Sequence, residues 1–330
     1  MIMIVTGCSS LNKLKTEYDK YSYEFLGAFD TVIQFMGYSK SQEDFETMVQ
    51  FGQSRFMELH KLFDIYNDYD GINNIKTIND NAGIQPVQVE QEIIDLILFS
   101  KEWYYKTNKK CNIALGPMLA IWHDYREAGI DDPENAKLPP MSQLQNAMQY
   151  TDIDKVIVDE DKKTIYLEDK SMSLDVGSVA KGYATEIVAK ELMEKGYNSF
   201  IISSGGNVRA VGQPMDGIRK RWGIGIQNPD GNVNDPDAPP LDVVYVTSSH
   251  RPRDINADYY YRSVAIITED SGFADFMSTT LFLTPFEESK KLAESLGVDA
   301  IWVMEDGSIR TTEGAKKIMR DMGGANATDD

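Results

Sequence analysis

The chain has 330 residues, of which 42% are hydrophobic, and it carries a formal net charge of −19 with a pI near 4.6. Nucleic acid and anionic membrane surfaces repel so acidic a protein, and its charge excludes both as partners. Because no Pro/Ser linker, low-complexity tract or internal repeat divides a chain that is long enough to bury a full core, the sequence predicts one large domain.

The first residues predict where the protein resides. Residues 5–8 (VTGC) fit a bacterial lipobox, in which Cys8 becomes the lipidated first residue after signal cleavage. The apolar stretch before them is short and lacks a basic segment, so we interpret residues 1–20 as a leader remnant and tether. This predicts an extracytoplasmic protein anchored by lipid to the bacterial cell membrane; the alternative is a disordered cytosolic N-terminus. The other cysteine, Cys111, is interpreted as a small buried residue.

A strand-to-helix corner lies at residues 174–183 (LDVGSVAKGY), where a carboxylate is combined with several small residues. Residues 164–167 and 171–174 have the pattern of a hairpin that leads into this corner. Apolar residues at helical spacing then predict a helix over 179–193, and Gly196 supplies its C-terminal stop.

A second glycine-containing loop follows this helix. Residues 200–202 (FII) predict an apolar strand, which leads to Gly205, Gly206 and Asn207. Glycines here let backbone N–H groups approach a ligand closely, so the two loops are predicted to converge on one ligand site. The alternative is that both are ordinary glycine-rich turns.

The C-terminal third contains a candidate cation site. Asp275 and Thr279 are spaced i, i+4 in a segment that predicts a helix, so their oxygens share one face and suit a hard cation. The alternative is an ordinary helix with an acid near its positive end. A predicted helix at 287–296 and a hairpin from 301–304 to Ile309 favour a mixed α+β domain over a doubly wound parallel sheet.

Several motifs occur in a fixed order along the chain. They are FDT on a first strand at 29–31, YNDYDGINN at 66–74, NDNAG at 79–83, LGPM at 115–118 with Trp122, DVGSVAKGY at 175–183, GGN at 205–207 and DFMST at 275–279. Together they resemble the motifs of the FAD:protein FMN transferase family, the ApbE-type flavin transferases. The similarity covers about residues 23–312.

This resemblance implies a fold and a reaction. The fold is an α+β, ApbE-like flavin transferase domain over residues 21–322, with mixed, mostly antiparallel sheets and flanking helices, followed by an acidic tail at 323–330. The implied reaction transfers FMN from FAD to a threonine hydroxyl of an acceptor redox protein, releases AMP and requires Mg²⁺. An acidic protein that binds a diphosphate needs such a cation to offset the repulsion.

The resemblance also implies the site residues. The implied metal ligands are Asp275, which is also a catalytic candidate, Thr279 and the backbone carbonyl of Ala180. The implied contacts to FAD are Tyr66, Asn67, Asn73, Asp175, Ser178, Lys181, Gly205, Gly206 and Asn207. From the residues alone, alternatives stay open: Asp175 as a helix N-cap, Lys181 on a solvated helix face, and the Tyr-Asn-Asp cluster as a turn.

One segment departs from the family pattern. Family members typically have a hairpin with an H-I-I-D-P segment whose histidine is tied to catalysis, and this chain has only residues 249–256 (SHRPRDIN) there. His250, one of three histidines, is the catalytic candidate to replace it. The alternative function is an FAD-binding lipoprotein or weak FAD hydrolase in which transfer is impaired.

Overall fold

Short strands alternate with helices in the computed structural model, which describes residues 16–226, 241–243, 247–250 and 261–319. The strands are β1 (Asp19–Ala28), β2 (Thr31–Ser39), β3 (Val87–Gln88), β4 (Val156–Asp159), β5 (Thr164–Leu167), β6 (Ser199–Ser204), β7 (Asn207–Gly212), β8 (Ile224–Ile226), β9 (Leu241–Val243), β10 (Thr247–His250), β11 (Tyr261–Ile267), β12 (Asp299–Met304) and β13 (Ile309–Thr311). The helices are α1 (Gln42–Phe63), α2 (Ile75–Asp80), α3 (Gln91–Lys106), α4 (Gly116–Asp131), α5 (Met141–Met148), α6 (Ala180–Glu194), α7 (Ser271–Phe282), α8 (Phe286–Ser295) and α9 (Glu313–Ile318).

A large antiparallel sheet forms the centre of the molecule. Its strand order is β1-β2-β6-β7-β10-β11-β12-β13, and each neighbouring pair is antiparallel. A smaller antiparallel sheet has the order β3-β5-β4, and β8 pairs with β9. The predicted α+β class with mostly antiparallel sheets is therefore confirmed.

The main core lies between the large sheet and three helices. Helix α6 packs against α1 and α7, and the three helices contact strands β2, β6 and β7. Alternation along β2 points Ile33 and Phe35 inward, where Phe35 meets Phe56 of α1 edge-on. Burial of these apolar faces holds α6 and α7 on the sheet, and Asp275 of α7 lies against the first turn of α6.

Several elements agree with the sequence predictions. The helix predicted over 179–193 is α6, the strand at 200–202 lies in β6, and the helix at 287–296 is α8. The predicted C-terminal hairpin is β12 with β13. Apolar periodicity was sufficient for these elements because each buries one continuous face.

Two local predictions are wrong. Residues 171–174 form no strand; β5 pairs with β4 and β3, and the side chain of Asn79 instead bonds both the N–H and the carbonyl of Leu174. The FDT motif does not begin on a strand either. Phe29 and Asp30 form the turn between β1 and β2 with φ of 53° and 49°, and Thr31 starts β2.

Some predictions concern residues outside this description. Residues 1–15, with the predicted lipobox and Cys8, and residues 323–330 lie outside the described ranges. The described domain runs from β1 to α9. None of the helices within the described ranges is long and apolar enough to cross a membrane.

Candidate active site

The corner at residues 174–178 is held by contacts to two other parts of the chain. The N–H of Leu174 donates to Asn79 Oδ1 at 2.7 Å, and the N–H of Asp175 donates to the carbonyl of Ile113 at 2.8 Å. Asp175 Oδ1 in turn accepts from the N–H of Gly177 at 2.9 Å. The motif at 79–83 and the segment before α4 therefore fix the position of Asp175.

Asp175 is not a helix cap. Val179 is the N-cap residue of α6 and makes no side-chain capping bond. Burial raises the pKa of the Asp175 carboxyl, while the amide of Gly177 and the ring of His123 act in the opposite direction. The N-cap alternative for Asp175 is therefore wrong, and its carboxylate lies in a partly desolvated corner.

Below this corner lies a buried thiol. Cys111 Sγ donates to Ser178 Oγ at 3.3 Å, and Cys111 is buried, as predicted. Burial raises the pKa of this thiol to about 12. The thiol is therefore neutral at physiological pH, so Cys111 is not a nucleophilic thiolate while it is buried.

The two helices that carry the predicted metal ligands meet at Gly182, which has no side chain. The N–H of Gly182, in the first turn of α6, donates to Asp275 Oδ2 at 2.8 Å. A Cβ on Gly182 would lie 2.4 Å from Asp275 Cβ and 2.4 Å from the carbonyl oxygen of Ser271. Only glycine permits this approach, so the motif at 175–183 and the motif at 275–279 touch through one backbone amide.

Further predicted residues lie beside this contact. Lys181 Nζ is 3.9 Å from Asp275 Oδ2, so Lys181 faces the buried carboxylate instead of lying on a solvated helix face. Thr279 is half-buried one turn beyond Asp275. The described residues contain no group of three or more His, Cys, Asp or Glu able to hold a metal. Asp275 is thus the single carboxylate of the predicted metal-ligand set.

The β6–β7 turn brings the second loop to the same place. Gly205 and Gly206 are exposed, with φ of +52° and +96°, and a Cβ on Gly205 would lie 2.3 Å from Thr31 Oγ1. The side chain of Asn207 is buried and bonds Ser271, donating from Nδ2 to the carbonyl at 3.0 Å. Its amide is therefore committed to packing, which leaves the predicted FAD contact to its backbone.

Sequence reasoning missed Glu186. It is buried, it accepts from the N–H of Ser271 at 2.8 Å, and it pairs with Arg209 at 2.9 Å. The sequence did contain a signal for it. Glu186 lies four residues after Gly182, on the buried face of α6, where an acidic side chain is unusual unless it is paired. We call the set Gly182, Glu186, Asn207, Ser271 and Asp275 the junction.

The opposite side of the site is exposed. The ring of Tyr66 is 59% exposed and lies 5.7 Å from the ring of His123 on α4. Arg126 lies 2.9 Å from His123 Nδ1. Burial and the negative charge of Asp175 raise the pKa of Tyr66, which places Tyr66 near the corner. We call Tyr66, Trp122, His123 and Arg126 the rim.

Three other predicted residues have different surroundings. Asn67 bonds Asp64 through its N–H and its amide, so its segment is a turn built on that carboxylate. Asn73 is exposed and donates to the carbonyl of Gln88 at 2.8 Å. His250 ends β10 opposite Val264, and residues 251–256 lie outside the described ranges. The structure thus brings Tyr66 near Asp175, while Asn67 bonds the Asp64 carboxylate and Asn73 bonds the backbone carbonyl of Gln88.

The sequence is similar to one family and to curated transferases. The model of the family described as "ApbE family" matches residues 29–302. The FAD:protein FMN transferase of Treponema pallidum (strain Nichols) is 25% identical over 272 residues, 73% of each chain. The enzyme of the same name from Klebsiella pneumoniae (strain 342) is 26% identical over 273 residues, 78% of this chain and 83% of that one.

Solved structures share the fold. The ApbE protein of Thermotoga maritima superimposes with a TM-score of 0.72 at 21% identity, over 90% of this chain and 98% of that one. The flavin transferase ApbE of Vibrio cholerae gives a TM-score of 0.74 at 14% identity, over 91% and 99%. At these identities the likeness supports a common architecture.

Proposed function

The chain belongs to the ApbE family, and on that premise we propose that it transfers FMN from FAD to a threonine hydroxyl of an acceptor protein. The observation that carries this proposal is the contact between Gly182 and Asp275. It joins the two most distinctive motifs of the sequence in one buried place, next to the exposed glycines of the β6–β7 turn. The named activity of the relatives from Treponema and Klebsiella supports the same reaction class.

The proposed reaction is a displacement at phosphorus. The threonine Oγ forms a bond to the FMN-side phosphorus of FAD, the bond from that phosphorus to the bridging oxygen breaks, and AMP leaves. The hydroxyl proton passes to a base. The products are AMP and a flavin linked to the acceptor by a phosphoester.

The residues predicted to hold Mg²⁺ offer donor atoms that suit this ion. Asp275 offers a buried carboxylate, Thr279 a hydroxyl one helical turn later, and Ala180 a backbone carbonyl in the first turn of α6. Mg²⁺ prefers such hard oxygen ligands and commonly takes one or two carboxylates together with substrate phosphates. A single carboxylate therefore fits an ion completed by the FAD diphosphate. When bound, the ion supplies charge neutralisation at the diphosphate.

Other residues are assigned to FAD by their chemistry. Lys181 lies beside Asp275 and supplies a cation for the phosphates, while the backbone of Gly205 and Gly206 is open to oxygen atoms. The ring of Tyr66 offers a surface for the isoalloxazine. We assign Asp175 and Ser178 to the polar groups between these two ends, and Asn67, Asn73 and the backbone of Asn207 to weaker contacts.

We assign the base to His250, because imidazole accepts protons near neutral pH. Alanine variants of all three histidines test this assignment. We expect His250→Ala to lose transfer while it still binds FAD. His60→Ala serves as the control, since His60 Nδ1 accepts from the N–H of Phe29 at 3.3 Å within the fold. Transfer that survives in His250→Ala but disappears in His123→Ala would instead assign the base to the rim.

The direct test is a mass measurement. The purified protein is incubated with FAD, Mg²⁺ and a threonine-containing acceptor domain, and the acceptor is analysed by intact mass spectrometry. We expect a Mg²⁺-dependent adduct of one FMN, absent with Asp275→Ala and absent when the acceptor threonine is replaced by valine. Absence of the adduct with wild-type protein that binds FAD would contradict the proposal.

A second function is favoured by the short 249–256 segment. Without the family's hairpin, the site would bind FAD or hydrolyse it slowly, with water replacing the threonine. Release of AMP and FMN without an adduct distinguishes this FAD hydrolase from the transferase.

We propose a redox protein as the acceptor and lipid on Cys8 as the membrane anchor. The lipobox at residues 5–8 supports the anchor and an extracytoplasmic location. The test is fractionation of cells that express the full chain. Cys8→Ser is expected to move the protein out of the membrane fraction, and a wild-type protein that is already free of membranes would contradict the anchor.

A further inference from the structure

A buried acid on α6 contacts the first residue of the helix that carries Asp275. Glu186 is 5% exposed, and its Oε2 accepts from the backbone N–H of Ser271 at 2.8 Å. The same oxygen accepts from Arg209 Nε at 2.9 Å. One carboxylate therefore connects α6 with strand β7 and with the start of α7.

A buried carboxylate is costly unless partners surround it. Arg209 is itself mostly buried and also donates to the carbonyl of Ala210 at 3.0 Å, so strand β7 fixes the guanidinium. Lys190 lies 3.5 Å from Glu186 Oε1 at the solvent side. Each carboxylate oxygen of Glu186 thus has a cationic neighbour, and Oε2 has in addition the N–H at the start of α7.

Two parallel contacts join α6 to α7. Gly182 and Glu186 are one turn apart on α6, and Ser271 and Asp275 are one turn apart on α7. Glu186 accepts from Ser271 N–H, and Gly182 N–H donates to Asp275 Oδ2. Two contacts one turn apart fix both the sliding and the rotation of α7 against α6.

The start of α7 has further supports from the same side. Asn207 bonds the carbonyl and the hydroxyl of Ser271, and Asp270 Oδ1 accepts from the N–H of Phe273 at 2.9 Å. Among the described hydrogen bonds of Ser271, the one from α6 is made by Glu186, and Lys190 of α6 pairs with the neighbouring Asp270 at 3.3 Å. Loss of Glu186 would leave that end of α7 attached to α6 by the solvent-exposed Lys190–Asp270 pair and by the Gly182 contact one turn later.

We infer that Glu186 is a positioning residue that aligns the carboxylate of Asp275, through Ser271, with the first turn of α6. This inference rests on the proposed function, because it concerns the Mg²⁺ site of that reaction. Glu186 does not reach the ligand; it sets the distance between the oxygens of α7 and the carbonyl of Ala180. Groups that orient a metal ligand from behind typically change metal affinity by about 10–100-fold when removed.

The same helix provides a matched control. Glu191 pairs with Arg55 of α1 at 3.0 Å, and Arg55 also bonds Glu58 and Glu92. That cluster joins α6 to α1 and α3 and has no contact with α7 among the described interactions. Glu191→Ala therefore removes an ion pair of α6 without touching the junction.

The experiment measures how FAD binding depends on Mg²⁺ in wild-type protein, Glu186→Ala, Glu186→Gln and Glu191→Ala. FAD fluorescence is followed while MgCl₂ is added, and hydrogen exchange is measured over residues 271–275. We expect Glu186→Ala to need about tenfold or more Mg²⁺ for half-maximal binding and to exchange faster at 271–275. Glu186→Gln should recover part of the affinity, since its amide oxygen accepts from the same N–H.

Glu191→Ala should keep the wild-type Mg²⁺ dependence even if it melts at lower temperature. The inference is overturned if Glu186→Ala binds FAD at the same Mg²⁺ concentration as the wild type. It is also overturned if Glu191→Ala raises the required Mg²⁺ concentration as much as Glu186→Ala does. Should Glu186→Ala fail to fold, Glu186→Gln is compared with Glu191→Gln. If Glu186→Gln needs several-fold more Mg²⁺ for half-maximal FAD binding, the inference is supported. If both variants need the same Mg²⁺ concentration, the inference is overturned. Wild-type protein that binds no FAD with Mg²⁺ would overturn the proposed function as well.

Discussion

The junction and the rim form two sides of one site with opposite character. At the junction, Glu186, Asn207 and Asp275 are buried, and their polar groups bond backbone groups of neighbouring elements. At the rim, Tyr66 is 59% exposed and Trp122 is 36% exposed. One side is fixed by its packing, and the other is open to solvent.

This difference follows from what each side is proposed to hold. A small divalent ion requires oxygens at fixed positions, so its ligands need support from behind. A flavin ring requires area and planarity, which exposed aromatic side chains supply without a buried network. Changes at the junction should therefore damage the fold and the site together, whereas changes at the rim should affect ligand binding alone.

The largest expected effect comes from adding one methyl group at the junction. Gly182→Ala places Cβ 2.4 Å from Asp275 Cβ and from the Ser271 carbonyl, so the helices must separate. We expect a loss of about 1–3 kcal/mol in the free energy of unfolding, measured by urea denaturation, and no Mg²⁺-dependent FAD binding.

Gly129→Ala is the matched change near the rim, within α4. Its Cβ would lie 3.3 Å from the Cβ of Ala136, and alanine favours the helix by up to about 1 kcal/mol. Stability should stay equal or rise, with FAD binding unchanged. Equal damage from both substitutions would remove the distinction between the two sides.

The next effect concerns the exposed aromatic ring. Tyr66→Ala should weaken FAD binding by up to about tenfold, because a stacked aromatic contact contributes about 0.5–1.5 kcal/mol. The free energy of unfolding should change by less than about 0.5 kcal/mol, since the side chain is 59% exposed. Tyr66→Phe keeps the ring and should bind FAD as the wild type does. Titration calorimetry with FAD checks both variants, and a large loss of stability in Tyr66→Ala would place this ring with the buried side.

Lys181 produces a smaller effect, with opposite signs for two ligands. Because its ammonium lies 3.9 Å from Asp275 Oδ2, it competes with Mg²⁺ for that carboxylate when FAD is absent. Lys181→Met should bind Mg²⁺ alone more tightly by about twofold to fivefold, and FAD at saturating Mg²⁺ more weakly by a similar factor. Isothermal titration of each ligand measures both changes; weaker binding of both would mean that Lys181 acts only on the fold.

The smallest effect is a pH dependence at the corner between the two sides. Burial raises the folded pKa of Asp175, so its stability contribution is full below the unfolded pKa, about 3.9, and is lost as pH rises through the folded value. Asp175→Asn removes that loss. The variant should be more stable than wild type at pH 7, with a difference that shrinks toward pH 4 in urea titrations. A constant difference across this range would assign the effect to something other than the carboxylate charge.

Much of this site was predictable from sequence, for identifiable reasons. Helices α6 and α7 follow from apolar periodicity, whereas the i, i+4 spacing of Asp275 and Thr279 also fits an ordinary helix, and it was the family resemblance that implied a metal-ligand pair. The hairpin prediction at 171–174 was wrong because buried Met172 and Leu174 imitate a strand, while the partner of Leu174 is the Asn79 side chain. Alternating burial does not reveal which group satisfies the backbone.

The contacts across the chain were beyond sequence reasoning. Gly182 bonds Asp275, and Ser271 bonds Glu186, across long separations in the chain. The residue types alone do not indicate which residues form these pairs. The turn at Phe29 and Asp30 has positive φ at both residues; Gly27 and Asp30 are turn-favouring types, but positive φ at a phenylalanine is not expected from its residue type. Packing of α6 on α7 determines the first pair, and closure of β1 on β2 determines the turn.

The buried thiol of Cys111 offers a way to measure how often the corner at residues 174–178 opens. Because Cys111 is buried and neutral and bonds Ser178, an alkylating reagent should react with it only when local opening exposes the thiol. The rate at which the peptide containing Cys111 gains an alkyl group should therefore report how often the corner at residues 174–178 opens. A bound flavin should slow that rate, which would allow occupancy of the site to be measured without any catalytic turnover.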